Sequence, residues 1–148
     1  MKSKTRLYFI FALMLLALIA NSCRKDISLP DPSLESLFGT WNWVQTSGGN
    51  ASQITTPANQ GYTQSIEFDK DGIFRSFVNG KKSSKLKFSL STGTSIYKTG
   101  TAYLLTFTHI GSTQNLSQTP ESVWFSTSDS LFLKEETSDG YQYVYTRN

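Results

Sequence analysis

Apolar and polar residues alternate with a period of two along most of the chain from residue 39 onward. Residues 62–68 (YTQSIEF) and 84–90 (SKLKFSL) show the pattern most clearly. Successive side chains of a β-strand point to opposite faces, so this repeat is typical of half-buried antiparallel strands. The pattern predicts strands at residues 39–46, 62–68, 73–78, 84–90, 94–97, 102–108, 122–127, 130–134 and 140–147.

Short turn sequences separate many of these strands. Residues 69–72 (DKDG) and 79–80 (NG) are hairpin signals. Tight sequential turns favour an all-β, antiparallel up-and-down β-barrel over a Greek-key sandwich, which needs long crossovers. A closed antiparallel meander needs an even number of strands. Either residues 94–97 are not a separate strand or a long connection contains another, so we expect 8–10 strands.

A single short helix is predicted, at the start of the folded region. Residues 32–38 (PSLESLF) fit one or two helical turns, with Ser33 or Asp31 as the N-cap. We expect this segment to form a helical plug for a barrel domain that spans residues 34–148.

Two connections are longer than the others and rich in polar residues. They cover residues 47–61 and 109–121. Loops of this length in a compact domain often form lids or binding rims. Mobile surface loops are an equally good interpretation.

The first residues have the pattern of an export signal. Lys2, Lys4 and Arg6 precede an apolar run at residues 7–20. At about 1.5 Å per residue the run spans about 21 Å, which is short of a bilayer core of about 30 Å. This favours a secretory signal over a permanent transmembrane anchor.

The only cysteine of the chain, Cys23, follows this signal. The sequence LIANSC, which ends at Cys23, resembles a bacterial lipobox, in which cleavage precedes a cysteine that carries lipid. Ordinary signal cleavage after Ser22 is the competing interpretation, but it would leave an unpaired thiol in an oxidising compartment. We therefore expect a signal peptide at residues 1–22, lipid attachment at Cys23 and a flexible tether at residues 23–33.

The charge of the chain does not point to nucleic acid. Lys2, Lys4 and Arg6 account for the whole formal charge of +3, so the remainder is neutral. The one basic cluster surrounds the turn at residues 79–80, where lysines are more typical of a solvated strand than of a site for anionic lipid or nucleic acid. Its members are Lys81, Lys82, Lys85 and Lys87.

Candidate catalytic groups and metal ligands are scarce. His109 is the only histidine, and Cys23 lies in the tether, so neither a multi-histidine zinc site nor a Cys/His nucleophile is available. Asp69 and Asp71 fit a hairpin turn better than a calcium loop. The carboxylates form no obvious acid/base pair. We expect no enzyme activity, no cofactor and no metal.

The sequence Gly39-Thr40-Trp41, which opens the first strand, and Arg147, which ends the last, resemble the lipocalin signature. The order of these motifs, with the lipoprotein signal, is similar to small lipocalin-like lipoproteins of Bacteroidetes. The resemblance implies that Gly39, Trp41 and Arg147 close one end of the barrel. In a closed antiparallel barrel Trp41 and Arg147 lie at the same end, so we predict a cation–π contact between them.

Aromatic residues make up 14% of the chain, which leaves some available to line a lumen for a small hydrophobic or amphipathic ligand. A barrel filled by its own side chains is an equally good interpretation. The candidate lumen residues are Trp43, Tyr62, Phe77, Phe88, Tyr103, Phe107, Trp124 and Tyr143.

The sequence thus predicts an exported, monomeric protein, anchored through lipid on Cys23 in a bacterial cell envelope, in the outer membrane. Its barrel would bind a small ligand without catalysis. The alternative is a surface-exposed module with a filled barrel that contacts a protein or glycan through its loops.

Overall fold

Eight antiparallel strands form a closed β-barrel in sequence order. A computed structural model describes residues 33–49, 53–111 and 119–147. Each strand pairs with the next, and the last pairs with the first, which confirms the predicted all-β up-and-down barrel. The strands are β1 (Gly39–Ser47), β2 (Gln64–Phe68), β3 (Ile73–Val78), β4 (Lys81–Thr94), β5 (Thr101–Thr108), β6 (Glu121–Thr127), β7 (Ser130–Glu135) and β8 (Gln142–Thr146).

The uncertainty in strand number is resolved at β4. Residues 94–97 are not a separate strand, because β4 runs without interruption to Thr94. Its last part lacks large apolar side chains but pairs with β5 throughout, from Lys87 opposite Thr108 to Thr94 opposite Thr101. Backbone pairing therefore extends this strand beyond the end of its hydrophobic pattern.

Two short helices accompany the strands. Helix α1 (Leu34–Leu37) is the predicted plug, and the Ser33 hydroxyl caps it by accepting a hydrogen bond from the Ser36 amide at 3.2 Å. Helix α2 (Pro57–Gln60) was not predicted. It lies within the β1–β2 connection and begins with a capping box formed by Thr56 and Asn59.

The barrel is closed at the end where β1 begins and β8 ends, which we call the closed end. The guanidinium carbon of Arg147 lies 4.2 Å from the centre of the Trp41 ring, so the predicted cation–π contact is confirmed. Arg147 Nη2 donates to the Ser36 carbonyl at 2.8 Å, and Trp41 Nε1 donates to the Leu37 carbonyl at 2.8 Å. These bonds attach α1 to the barrel.

Large apolar side chains fill the interior near the closed end. Trp41, Phe68 and Phe125 are almost completely buried, together with Leu37 and Leu131. Trp41 packs on Phe125 with ring centroids 5.8 Å apart. This part of the barrel is hydrophobic core.

The opposite end, which we call the open end, carries the β1–β2, β3–β4, β5–β6 and β7–β8 connections, because strand direction reverses at each turn. The β1–β2 and β5–β6 connections are the two long ones predicted from sequence. Residues 50–52 and 112–118 within them are outside the described residues, as are the predicted signal, Cys23 and most of the tether. In the described ranges, no helix has the length and apolar character needed to cross a membrane.

The β4–β5 connection packs against the outside of the barrel. The Glu136 carboxylate accepts hydrogen bonds from the Ser95 hydroxyl and the Ile96 amide, both at 2.7 Å. The Lys134 ammonium lies 3.6 Å from the centre of the Tyr97 ring. The β5–β6 ladder is short, with residues 103–105 opposite 121–123, so these contacts reinforce the weakest seam of the barrel.

Candidate ligand-binding site in the barrel

Aromatic side chains line the inner wall toward the open end. Tyr62, Tyr103, Phe107 and Tyr143 pack against the buried core but remain partly exposed. These rings therefore keep some exposed surface, whereas the core residues at the closed end are almost completely buried. Aromatic side chains that face an interior and keep some exposure are common in small-molecule sites.

Trp43 forms one side of this wall. Only 5% of its surface is exposed, and its ring stacks on Tyr62 with centroids 5.8 Å apart and planes inclined by 16°. A bulge in β1 between Trp43 and Gln45 brings Thr46 opposite Tyr143. The Thr46 hydroxyl then accepts a hydrogen bond from Trp43 Nε1 at 2.9 Å, which fixes the orientation of the indole.

Two of the predicted lumen residues, Phe88 and Phe107, face the interior and pack on phenylalanines of the core. Phe88 is 8% exposed and packs edge-on against Phe68, with ring centroids 5.0 Å apart. Phe107 packs on Phe74 at 4.7 Å. Both face the interior, and together they form an aromatic layer that joins the filled part of the barrel to the more accessible part.

Phe77 and Trp124 were wrongly placed in the lumen. Phe77 lies opposite Ser65 of β2. Ile66, the next residue of β2, is buried and points inward, so Ser65 and its partner Phe77 point outward. In β3 the apolar residues occupy adjacent positions at both ends (IFRSFV), so alternation alone did not fix which phenylalanine points inward.

Trp124 lies on the outer face because its neighbours Val123 and Phe125 are the buried residues of β6. Its ring stacks on Phe132 of β7 with centroids 5.2 Å apart and planes inclined by 11°. This outer aromatic pair covers the β6–β7 ladder and cannot reach the interior.

A pair of carboxylates on the inner wall escaped the sequence analysis. Glu121 of β6 lies directly opposite Glu135 of β7. Both continue the inward-facing sets of their strands, after Leu133 on β7 and before Val123 on β6. The alternation in ESVWF and SLFLKE indicates that both glutamates point inward. Because Glu121 begins β6 and Glu135 ends β7, the sequence alone assigns them to loops.

Hydrogen bonds hold Glu135 in place. Its carboxylate accepts from the Tyr143 hydroxyl at 2.9 Å and from the Tyr141 amide at 3.1 Å. Glu121 differs, since no described residue donates a hydrogen bond to its carboxylate. The two carboxylates therefore share one part of the inner wall, but only Glu135 is held by hydrogen bonds from the described residues.

The electrostatics of the patch follow from burial and like charge. Burial, and then the negative charge of Glu135, raise the pKa of Glu121 to about 7. Burial also raises the pKa of Tyr143 and Tyr145, and in both cases the charge of Glu121 adds to the shift.

The cations of the described residues lie elsewhere. Arg75 pairs with Glu67 at 3.2 Å and with Asp69 at 2.7 Å on the outer surface, and Lys134 packs on Tyr97. The predicted basic cluster is exposed at all four lysines. Within the described part of the chain, the interior carboxylates have no cationic partner.

The acidic turn at residues 69–72 is a hairpin turn, as predicted. Asp69 Oδ1 accepts hydrogen bonds from the Asp71 and Ile73 amides, each at 2.9 Å. Among residues 33–49, 53–111 and 119–147, no group of three or more histidine, cysteine, aspartate or glutamate side chains forms a potential metal site.

Exposed apolar side chains surround the open end. Ile54 in the β1–β2 connection, Ile110 in the β5–β6 connection and Tyr141 in the β7–β8 connection are 56%, 49% and 46% exposed. They give the mouth of the barrel an apolar rim.

No family model, curated protein or solved structure matches this chain.

Proposed function

We propose that this protein is a lipid-anchored, lipocalin-like binding protein of a bacterial cell envelope. Its barrel would hold a small hydrophobic or amphipathic molecule at the open end. The observation that carries the proposal is the set of partly exposed rings on the inner wall, Tyr62, Tyr103 and Tyr143, with the buried Trp43 stacked on Tyr62. These rings offer the apolar contact that such a ligand needs.

The apolar rim supports the same proposal. An amphipathic molecule that leaves a membrane or a carrier needs apolar contacts along its path. Ile54, Ile110 and Tyr141 provide them at the mouth, so we propose that ligands enter between these side chains.

The location proposed for the protein rests on its N-terminal sequence. Lipid on Cys23 would be the contact with the outer membrane, and residues 23–33 would hold the monomeric barrel away from the surface. No catalytic step, cofactor or nucleic acid is part of the proposal. Mass spectrometry of the membrane-extracted protein tests it: we expect cleavage before Cys23 and a mass increase from acyl chains, whereas cleavage elsewhere would refute the anchor.

The positions of two tryptophans allow a direct test of binding. Trp43 faces the interior and Trp124 lies outside. A bromine atom quenches tryptophan fluorescence by contact, so titration of the full chain with a neutral brominated fatty alcohol should quench Trp43.

Matched variants distinguish Trp43 from Trp124, while the third tryptophan, Trp41, is fully buried under Arg147 at the closed end and is present in both variants. Trp124→Phe should retain saturable quenching, and Trp43→Phe should lose it. Quenching that survives in Trp43→Phe but disappears in Trp124→Phe would place the alcohol on the outer surface and contradict the proposal.

The exposed rim also favours a second candidate function, an interaction module that contacts a protein or glycan. In that case the rim itself would be the binding surface, and the interior would only support it. Absence of any contact quenching of Trp43 would favour this alternative.

A further inference from the structure

The inner wall toward the open end combines aromatic rings with negative charge. Glu121 and Glu135 lie opposite each other across β6 and β7. Tyr143 donates a hydrogen bond to Glu135 from the adjacent strand β8. Trp43, on the next strand β1, lies opposite Tyr145. Trp43 Nε1 donates to Thr46, which lies opposite Tyr143. The carboxylates and these rings therefore belong to the inner wall formed by four neighbouring strands.

Glu121 is the unusual member of this surface. Glu121 is partly buried, and a carboxylate that loses solvent in this way is commonly paired with a cation or satisfied by hydrogen-bond donors. Glu121 receives neither from the described residues, and its nearest charged neighbour has the same sign. The protein therefore retains a negative charge, or the proton that neutralises it, where folding alone would favour an apolar side chain.

A cation bound between Glu121 and Glu135 would compensate their unpaired negative charge. It would screen the repulsion between the two carboxylates and replace part of the lost solvation of Glu121. Aromatic faces add to the attraction, because their negative quadrupole stabilises an ammonium group that lies within about 6 Å. Such faces also suit an organic cation with apolar substituents.

We propose that the open end of the barrel binds an organic cation: an ammonium group, held by Glu121 and Glu135, on an apolar body that packs against Trp43 and Tyr62. This inference rests on the proposed ligand-binding function and names the chemical class of the ligand. It also makes an anionic ligand such as a fatty acid the least favourable occupant of the site.

Isothermal titration of the full chain with three probes of similar shape tests the inference. The probes are a phenylalkyl trimethylammonium ion, its neutral isostere with a tert-butyl group, and the corresponding phenylalkyl carboxylate. We expect the ammonium ion to bind at least about tenfold more tightly than the isostere, and the carboxylate to bind most weakly. Equal or tighter binding of the isostere or the carboxylate would overturn the inference.

Variants locate the charge that is responsible. Glu121→Gln and Glu135→Gln should each reduce the affinity for the ammonium probe by about tenfold and change the affinity for the isostere much less. Glu67→Gln is the matched control, because Glu67 pairs with Arg75 on the outer surface, and it should change neither. A loss of affinity in the control as large as in the two site variants would contradict the assignment.

Proton release is a second readout that a structural role would not produce. The ionisable side chains on the inner faces around Glu121 are Tyr103 on β5, Glu135 on β7, and Tyr143 and Tyr145 on β8. With the pKa of Glu121 at about 7, a bound cation should displace its proton. Titration near pH 6.5 in buffers of different ionisation enthalpy should therefore show proton release, and Glu121→Gln should abolish it.

The outcomes separate the inference from the function on which it rests. Binding of the neutral isostere in the barrel without preference for the ammonium ion would refute the cation site and retain the proposed function. Failure of all three probes to bind would refute both. Tight binding of Ca²⁺ or Mn²⁺ that displaces the ammonium probe would identify a metal site and overturn the inference. If Glu121→Gln fails to fold, the three-probe comparison on the unaltered chain still decides.

Discussion

Glu121 shows how one residue can be costly for folding and useful for binding. Its pKa rises from about 4.5 to about 7 on folding because the interior disfavours its charge and Glu135 repels it. An acid with a raised pKa keeps its proton up to a higher pH in the folded state than in the unfolded state. Stability therefore falls as pH rises from about 4.5 to about 7 and stays low above that range.

Replacing Glu121 by Gln should remove this dependence. At about 1.4 kcal/mol per pKa unit, Glu121→Gln should be more stable than the unaltered chain by up to about 3 kcal/mol near pH 8, and the difference should shrink toward pH 4.5. Urea unfolding at several pH values measures it. A difference between the two proteins that stays constant with pH would show that Glu121 does not titrate in this range.

The indole of Trp43 depends on a single hydrogen-bond acceptor, the hydroxyl of Thr46. Thr46→Val keeps the shape of the side chain but leaves Trp43 Nε1 without this partner. We expect a loss of about 1–2 kcal/mol in the free energy of unfolding and weaker binding of any ligand that packs on Trp43. Thr92→Val, at an exposed position of β4, is the control and should change little in either measurement.

At the scale of elements, the closed end joins three parts of the chain. Arg147, which follows β8, packs on Trp41 of β1 and donates to the Ser36 carbonyl of α1. The arginine therefore holds the helical plug on the barrel as well as covering the tryptophan. Its guanidinium provides both the flat cation and the hydrogen-bond donors that these contacts need.

Arg147→Ala should destabilise the barrel by about 2–3 kcal/mol, since it removes a partly buried cation–π contact and two hydrogen bonds. Arg147→Lys should recover less than half, because an ammonium lacks the planar fork. Urea unfolding gives both values. Lys85→Ala, on the exposed side of β4, is the control and should have little effect. If Arg147→Ala and Lys85→Ala had the same free energy of unfolding, the role assigned to Arg147 would be contradicted.

The β4–β5 connection is the second element whose role follows from contacts between distant parts of the chain. Although burial opposes its ionisation, hydrogen bonds from Ser95 and Ile96 hold the pKa of Glu136 below its usual value. Glu136→Ala should therefore weaken the β5–β6 seam. Hydrogen exchange should become faster for amides of residues 103–105, while Asp139→Ala, at an exposed turn, should leave the rates unchanged.

At the scale of the whole molecule, the barrel was predictable because turn chemistry and period-two patterning agree along the chain. The contact between Trp41 and Arg147 followed from strand parity at a closed end. Strand number did not follow, because the final residues of β4 are held by backbone pairing with β5 and carry little hydrophobic signal.

The candidate site was less predictable because it depends on which face each strand turns inward. An error of one position in the alternation reverses the face of every side chain in a strand. For this reason the sequence places Phe77 and Trp124 in the lumen, whereas both lie outside in the structure. The juxtaposition of Glu121 and Glu135 comes from the register between β6 and β7, which no local pattern specifies. Helix α2, in contrast, has local signals: Thr56 as N-cap, Pro57 in the first turn and Gly61 as C-cap. With four residues it is too short to show an amphipathic repeat.

A crystal structure of the full chain with a bromophenyl trimethylammonium ion tests the central claim most directly, because the anomalous signal of bromine marks the position of the probe. We expect one strong peak inside the barrel, with the aromatic ring against Trp43 and Tyr62 and the ammonium group between the carboxylates of Glu121 and Glu135. A peak at the rim beside Ile54 or Tyr141 with an interior filled by side chains alone, or no peak at a saturating concentration, would contradict the account.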